Sequence, residues 1–337
     1  MNKKMTLENK DGAPELHISS GSDINSRSTS IDAVTEDCTN MDVTIDSICA
    51  SCGKEGNSDN MNTCNKCKTV KYCNAACKKK HRSKHKKACD RRVAELYEEA
   101  LFKDHPPNEE CPLCLLPLSY ESNRSNFMSC CGKVICDGCS YATMISTGMI
   151  SEGKDLCAFC RIPDATTNKE HVRRLKKLME KGNAEALNHF AGCYSQGLGV
   201  SQDDSKANEL WLKAGELGYA AGYYNLGCSY MHGDGVGVDM NKVKHYWELA
   251  VRGGNVLARH NLGVTEHETG NQQRAYKHWL IAARAGDKQS IDMVKNGFVD
   301  GFITKAEFAN TLRAYHDRQK ETMSDMRDKA ALAKMLR

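Results

Sequence analysis

Cysteine pairs crowded into one stretch, followed by a 36-residue repeat of small and aromatic residues, predict small zinc-stabilised modules plus an all-α helical-repeat solenoid. Fifteen of the 18 cysteines lie from Cys49 to Cys160. Most form Cys-x2-Cys, the spacing at which two thiolates wrap one tetrahedral zinc. The repeat begins near residue 183, where apolar residues recur at helical spacing.

A chain of 337 residues has room for two or three domains. Its aromatic content of 7% suits small modules and helical repeats better than one large aromatic core. Residues 1–10 are polar, without the apolar run of a signal peptide, and no stretch of 18 apolar residues would span a membrane. Many cysteines without a secretion signal point to metal ligation in a reducing, intracellular compartment, cytoplasmic or nuclear. The formal charge of +4 counts every thiol as neutral. Fifteen thiolates on four Zn²⁺ would bring it to about −3, so overall charge gives no ground for a nucleic-acid partner.

Residues 1–46 are rich in Ser, Thr, Asn and Asp, and the acids Asp32, Glu36, Asp37, Asp42 and Asp46 outnumber nearby bases. Such a segment buries too little to offset its ordering entropy, which predicts a disordered acidic tail. Cys38, alone within it, is given no role.

Residues 47–92 form the first module. Its candidate ligands are Cys49, Cys52, Cys64, Cys67, Cys73, Cys77, His85 and Cys89. Ligand pairs that alternate along the chain allow an interleaved arrangement, with Cys49, Cys52, Cys73 and Cys77 on one ion and Cys64, Cys67, His85 and Cys89 on the other. His85 and Cys89 are four apart and share a helix face. Some 40 residues with almost no apolar core need the metal to fold. The spacing, with Tyr72 before Cys73 and Asn74 after it, resembles the MYND zinc finger, although Lys78 stands where that family usually has Gln. The resemblance implies docking of short, often Pro-rich peptides.

His81, four residues before His85, reads as a solvated helix histidine because the ligand count is already complete. The basic run through Lys78, Lys79, Lys80, Arg82, Lys84, Lys86 and Lys87 reads as a solvated helix face that offsets thiolate charge, since no aromatic residues interleave it. Residues 93–107 form a helical linker, amphipathic through Val93, Leu96, Tyr97 and Leu101 and ended by Pro106-Pro107.

Residues 108–164 form the second module, with Cys111, Cys114, Cys130, Cys131, Cys136, Cys139, Cys157 and Cys160 as candidate ligands. A cross-braced pairing puts Cys111, Cys114, Cys136 and Cys139 on one zinc and Cys130, Cys131, Cys157 and Cys160 on the other. Four ions are thus expected, two per module. This module resembles an all-cysteine RING finger. Lys133 replaces the histidine of the RING turn, so Cys130 has to supply the missing ligand. The resemblance implies partner-binding residues for a ubiquitin-conjugating enzyme. Leu113 matches the apolar contact inside the first pair, and Arg161 matches the cation that bridges the enzyme and ubiquitin. Ala158 departs from the family's usual proline.

Residues 165–182 read as a charged linking helix. The solenoid is expected over 183–318, and 319–337 as a C-terminal helix or cap. At an offset of 36, Phe190, Leu226 and Leu262 align, as do Ala191, Gly227 and Gly263. Trp211 aligns with Trp247, and Trp279 follows at 32, so the third unit has lost four loop residues. Closing glycines Gly218, Gly254 and Gly286 suit a positive φ. These motifs look like Sel1-like repeats. Tyr194, His189, Tyr223, Tyr230 and His260 are candidates for a groove on the first helices, or for core contact. Cys193 and Cys228 read as core packing.

No catalytic constellation is found, because the Cys and His residues able to react are absorbed as ligands. The sequence therefore predicts a zinc-binding adaptor that docks proteins and peptide motifs. The alternative is a RING-type ubiquitin ligase whose solenoid or first finger recruits substrate. A third, weaker reading is nucleic-acid binding through residues 78–92.

Overall fold

The computed structural model describes residues 47–56, 60–120, 124–146 and 156–335. The expected acidic tail, 1–46, lies outside them.

Two short hairpins open the first module. Strand β1 (Ser47–Ile48) pairs antiparallel with β2 (Glu55–Gly56), and β3 (Asn62–Thr63) pairs with β4 (Lys71–Tyr72). A bridge between Cys49 and Lys71 ties the hairpins together. Helix α1 (Ala75–Leu101) follows, capped by Asn74, whose side chain accepts from the Cys77 N–H at 2.8 Å. It runs 27 residues without a break. Residues 93–101, read as part of a separate linker helix, are its last third, because nothing from 75 to 101 is Gly or Pro to interrupt it.

In the second module β5 (Ser125–Met128) pairs antiparallel with β6 (Lys133–Cys136), in a register that sets Phe127 opposite Val134. Helix α2 (Asp137–Ser146) continues directly from β6.

Helix α3 (Asn168–Glu180) buries Val172, Leu175 and Leu178, spaced three apart, against α4 (Ala184–Gln196). The repeat then proceeds as α5 (Asp204–Glu216), α6 (Ala220–His232), α7 (Met240–Arg252), α8 (Val256–Glu268) and α9 (Gln272–Arg284). Each helix packs on the next, which makes a solenoid. Side chains of Asn183, Asp203, Asp239 and Asn255 cap their helices at offsets fixed by the repeat. The closing glycines do turn: φ is 93° at Gly218, 85° at Gly254 and 106° at Gly286. Trp247 and Trp279 fill the layer, each donating its indole N–H to a first-helix carbonyl, of Tyr224 at 3.3 Å and of His260 at 3.2 Å. A Cβ on Gly227 would come within 2.4 Å of the Trp247 ring, and one on Gly263 within 2.4 Å of the Trp279 ring.

The last helices divide. Helix α10 (Lys288–Val299) and α11 (Lys305–Thr322) pack on α9 and close the apolar end, with Phe308, Leu312 and Tyr315 against its cluster. Helix α12 (Asp325–Met335) leaves the stack and packs on α2 of the second module. The physical reason is Arg327, 6% exposed, which donates to the carbonyl oxygens of Pro117 at 2.7 Å and Leu116 at 3.3 Å.

The modules are tied to the solenoid. Leu101, fully buried, joins the cluster of Val243, Trp247 and Leu262. Phe102 packs on His278 with ring centroids 4.6 Å apart. Phe127 of the second module stacks on His189 at 4.3 Å. His189 is therefore covered by the chain itself, while His260 bonds Ser290 at 2.8 Å and Tyr230 stacks on Tyr246 at 5.6 Å. These candidates for an open groove are packing contacts. Cys193 is buried in the α3–α4 cluster, as expected. Among the described residues no helix is long and apolar enough to cross a membrane.

Candidate metal centres

Four knuckles aim the cysteines. In each Cys-x2-Cys starting at Cys49, Cys64, Cys111 and Cys157, the residue after the second cysteine is left-handed. Its φ is 72° at Gly53, 58° at Lys68, 57° at Leu115 and 62° at Arg161. Its N–H donates back to the carbonyl of the first cysteine, at 2.9 Å, 3.0 Å, 2.9 Å and 2.9 Å respectively. The tight turn brings both sulfurs to one point. Only the first of these residues is glycine; the other three carry about 1–2 kcal/mol of backbone strain each. Sequence reasoning missed this device. Its signal was the shared fifth position of four Cys-x2-Cys runs, hidden because three side chains there are large.

The sixteen candidate residues come together in four groups. They are Cys49, Cys52, Cys73 and Cys77; Cys64, Cys67, His85 and Cys89; Cys111, Cys114, Cys136 and Cys139; and Cys130, Cys131, Cys157 and Cys160. Within each group all four donor atoms lie within 4.8 Å of one another. The sulfurs in closest contact are 3.4 Å apart for Cys160 and Cys130 and 3.8 Å apart for Cys64 and Cys89, Cys111 and Cys139, and Cys131 and Cys157. A disulfide would need about 2.05 Å. A tetrahedron with metal–sulfur bonds of about 2.3 Å has edges of about 3.8 Å, so the donor sets fit Zn²⁺. Cys67 Sγ sits 3.3 Å from His85 Nε2, the corresponding edge of a mixed sulfur–nitrogen set. The adjacent Cys130 and Cys131 both reach their group, and Lys133 stays outside it, exposed, with its Nζ 5.9 Å from the centre of the Phe159 ring.

Charge explains why a cation belongs there. The Cys73 backbone N–H draws the Cys49 thiol down to about 6. Burial first, and then neighbouring sulfurs, push the Cys130 and Cys139 thiols up. A full set of thiolates at such spacing is unstable without a positive ion between them. His81 stays outside the donor set, stacked on His85 at 5.9 Å and 3.3 Å from the Tyr72 hydroxyl.

Leu113 is 41% exposed and belongs to one knuckle; Arg161, also exposed, belongs to another. On the first module, Tyr72, Ala75, Lys78, Lys79 and Arg82 line a cavity of about 500 Å³ that opens onto Cys64, His85 and Cys89 of the second group. The lysines of the basic run are mostly exposed, with Lys78 3.5 Å from Asn65.

Known families account for the first module and the solenoid. The family profile for the MYND finger matches residues 49–89, and that for the Sel1 repeat matches 184–219, 220–255 and 256–287. No curated protein matches the chain. A Sel1 repeat protein from Oxalobacter formigenes is 20% identical over 44% of this chain and 64% of its own, with a TM-score of 0.40. A protective antigen of uropathogenic Escherichia coli strains displaying an SLR fold is 20% identical over 46% of this chain and 35% of its own, with a TM-score of 0.39. The chain spans less than two thirds of the length of either. It carries a MYND finger, a further cysteine-rich module whose donor sets suit zinc, and a helical solenoid of Sel1 repeats.

Proposed function

We propose that this chain is a zinc-dependent adaptor that holds partner proteins on its two fingers and its solenoid. Cys49, Cys52, Cys73 and Cys77 hold one Zn²⁺, and Cys64, Cys67, His85 and Cys89 hold the second. Cys111, Cys114, Cys136 and Cys139 hold the third, and Cys130, Cys131, Cys157 and Cys160 the fourth. The carrying observation is that sixteen donors fall into four groups of four, each within 4.8 Å of one another. A set of four protein ligands leaves no open position for a reacting group, so the metals act on shape. The cavity lined by Tyr72, Ala75, Lys78, Lys79 and Arg82, which opens onto the second donor group, suits a short extended peptide. Fifteen metal-bound thiolates suit the reducing cytoplasm or nucleus.

The test is affinity capture with the zinc-loaded full chain and with two surface variants. Lys79→Glu with Arg82→Glu is expected to lose one set of partners, and Leu113→Ala a different set. Identical losses from both variants would defeat the adaptor reading.

A second reading is a RING-type ubiquitin ligase, favoured by the exposure of Leu113 and Arg161 on the knuckles of the second module. Autoubiquitination with a panel of conjugating enzymes, abolished by Leu113→Ala and Arg161→Ala, would support it. Silence from a folded protein carrying four zinc ions would remove it.

A further inference from the structure

We infer that Arg327 is a positioning residue for the metal site of Cys111, Cys114, Cys136 and Cys139, so that this site and helix α12 assemble as one unit. The inference rests on the zinc reading above.

Arg327 begins 211 residues after the loop it grips, yet its guanidinium is nearly enclosed there. Nη1 donates to the Pro117 carbonyl at 2.7 Å and to the Thr322 carbonyl at 2.8 Å. Nη2 donates to the Leu116 carbonyl at 3.3 Å and lies 3.6 Å from Cys114 Sγ. A second tie forms at the far end of α12, where Lys334 meets Asp137 at 2.8 Å. Between them Ala330 is 3% exposed. Gly138 completes the fit, since a Cβ there would strike the backbone and side chain of Arg327.

The charge balance explains the arrangement. Four thiolates on one divalent ion leave two negative charges. A buried guanidinium needs a compensating charge, because taking an ion from water costs several kcal/mol. The carbonyls supply dipoles; the metal–thiolate set supplies the charge. Its hydrogen bond to Cys114 also fixes where that sulfur points, which is how outer contacts tune a metal site. Coupling of this kind runs both ways: metal loading holds α12 down, and α12 holds the metal.

Site-resolved alkylation tests this on the full zinc-loaded chain. Each cysteine's rate of modification under a mild chelator is read by mass spectrometry for the native protein, Arg327→Gln and Arg327→Lys. Limited proteolysis after residue 322 reports α12 in parallel. Arg327→Gln is expected to speed modification of Cys111, Cys114, Cys136 and Cys139 about 10- to 100-fold. The other three groups should keep their protection, and α12 should become cleavable. Arg327→Lys, which keeps the charge, should recover part of the protection. Buried Cys193 in the solenoid monitors global folding. Equal protection in all three proteins would overturn the inference, and so would uniform loss at all four groups. If Cys111 and its partners were unprotected in the native protein as well, the zinc reading itself would fail instead.

Discussion

Arg259 donates from Nη1 to the Leu101 carbonyl oxygen at 2.9 Å, across 158 residues of chain, and from Nη2 to that of Lys103 at 3.2 Å. The side chain is 2% exposed, and burial brings its pKa down to about 10. These are the carbonyls at and just past the end of α1, where a helix runs out of its own donors. A residue of the third repeat thus finishes the helix of the first module. Arg259→Met is expected to destabilise the chain by about 2–4 kcal/mol, because buried acceptors lose their donor. Urea unfolding measures the loss. Amide exchange should quicken first over residues 97–105; exchange unchanged there would refute the capping role.

His278 sits in the same interface, fully buried, with neither ring nitrogen bonded among the described residues. Burial first, then Arg259 and Arg274, hold its pKa down to about 3. The unfolded chain takes up this proton near pH 6.5 and the folded chain does not. Its contribution is therefore present above pH 6.5 and lost as pH falls from there toward 3. His278→Phe, which keeps the ring contact with Phe102, should stabilise by about 1–2 kcal/mol at neutral pH and by more at pH 5. Melting curves at both pH values decide it.

Glu185 carries the opposite sign. It accepts from the Tyr219 hydroxyl at 3.0 Å, and burial, with Glu109 nearby, raises its pKa to about 7. The folded chain keeps a proton that the unfolded chain releases near pH 4.5. Stability is therefore lost as pH rises from about 4.5 through 7. Glu185→Gln should abolish that slope and gain on the order of 1–3 kcal/mol at pH 8, with little change at pH 4. A native-like slope in the variant would show that another group is responsible.

Metal removal should act on one part of the chain. Elemental analysis is expected to find four zinc ions per chain, and three in Cys130→Ala. A strong chelator should unfold both finger modules, whose buried clusters are built largely from cysteines, while Cys193 stays protected in the apolar solenoid. Four ions retained in Cys130→Ala would show that Lys133 or water completes that set.

Gly263→Ala places a methyl group 2.4 Å from the Trp279 ring. Overpacking of this kind costs about 1–3 kcal/mol. Gly237→Ala, with open space around its Cβ position, is the matched control and should be near neutral. Equal melting temperatures for the two variants would mean that the third repeat tolerates a wider helix crossing.

The ligand sets and the repeat register were legible in the sequence because both are periodic. Alternating pairs allowed the grouping in which the structure gathers the cysteines, and an offset of 36 aligned Gly227 with Gly263 and Trp247 with Trp211. What escaped was long in range and single in kind. Nothing near Arg327 announces the Leu116 carbonyl, nothing near His189 announces Phe127, and neither pair repeats. The left-handed Lys68, Leu115 and Arg161 escaped for a different reason: a positive φ is read from glycine, and these positions have none. The length of α1 was missed because its halves differ in composition, the first rich in lysine and the second amphipathic, although no breaker divides them.

One unbroken rod of 27 residues, about 40 Å long, has its first turn in the MYND finger and its last residue, Leu101, sealed inside the repeats. Such a beam fixes phase as well as reach. One residue inserted between Cys89 and Tyr97 would leave the donor sets and the buried end intact and swing the finger about 100° around the axis. Two guests bound at opposite ends would still be held at nearly the same distance, but facing different ways.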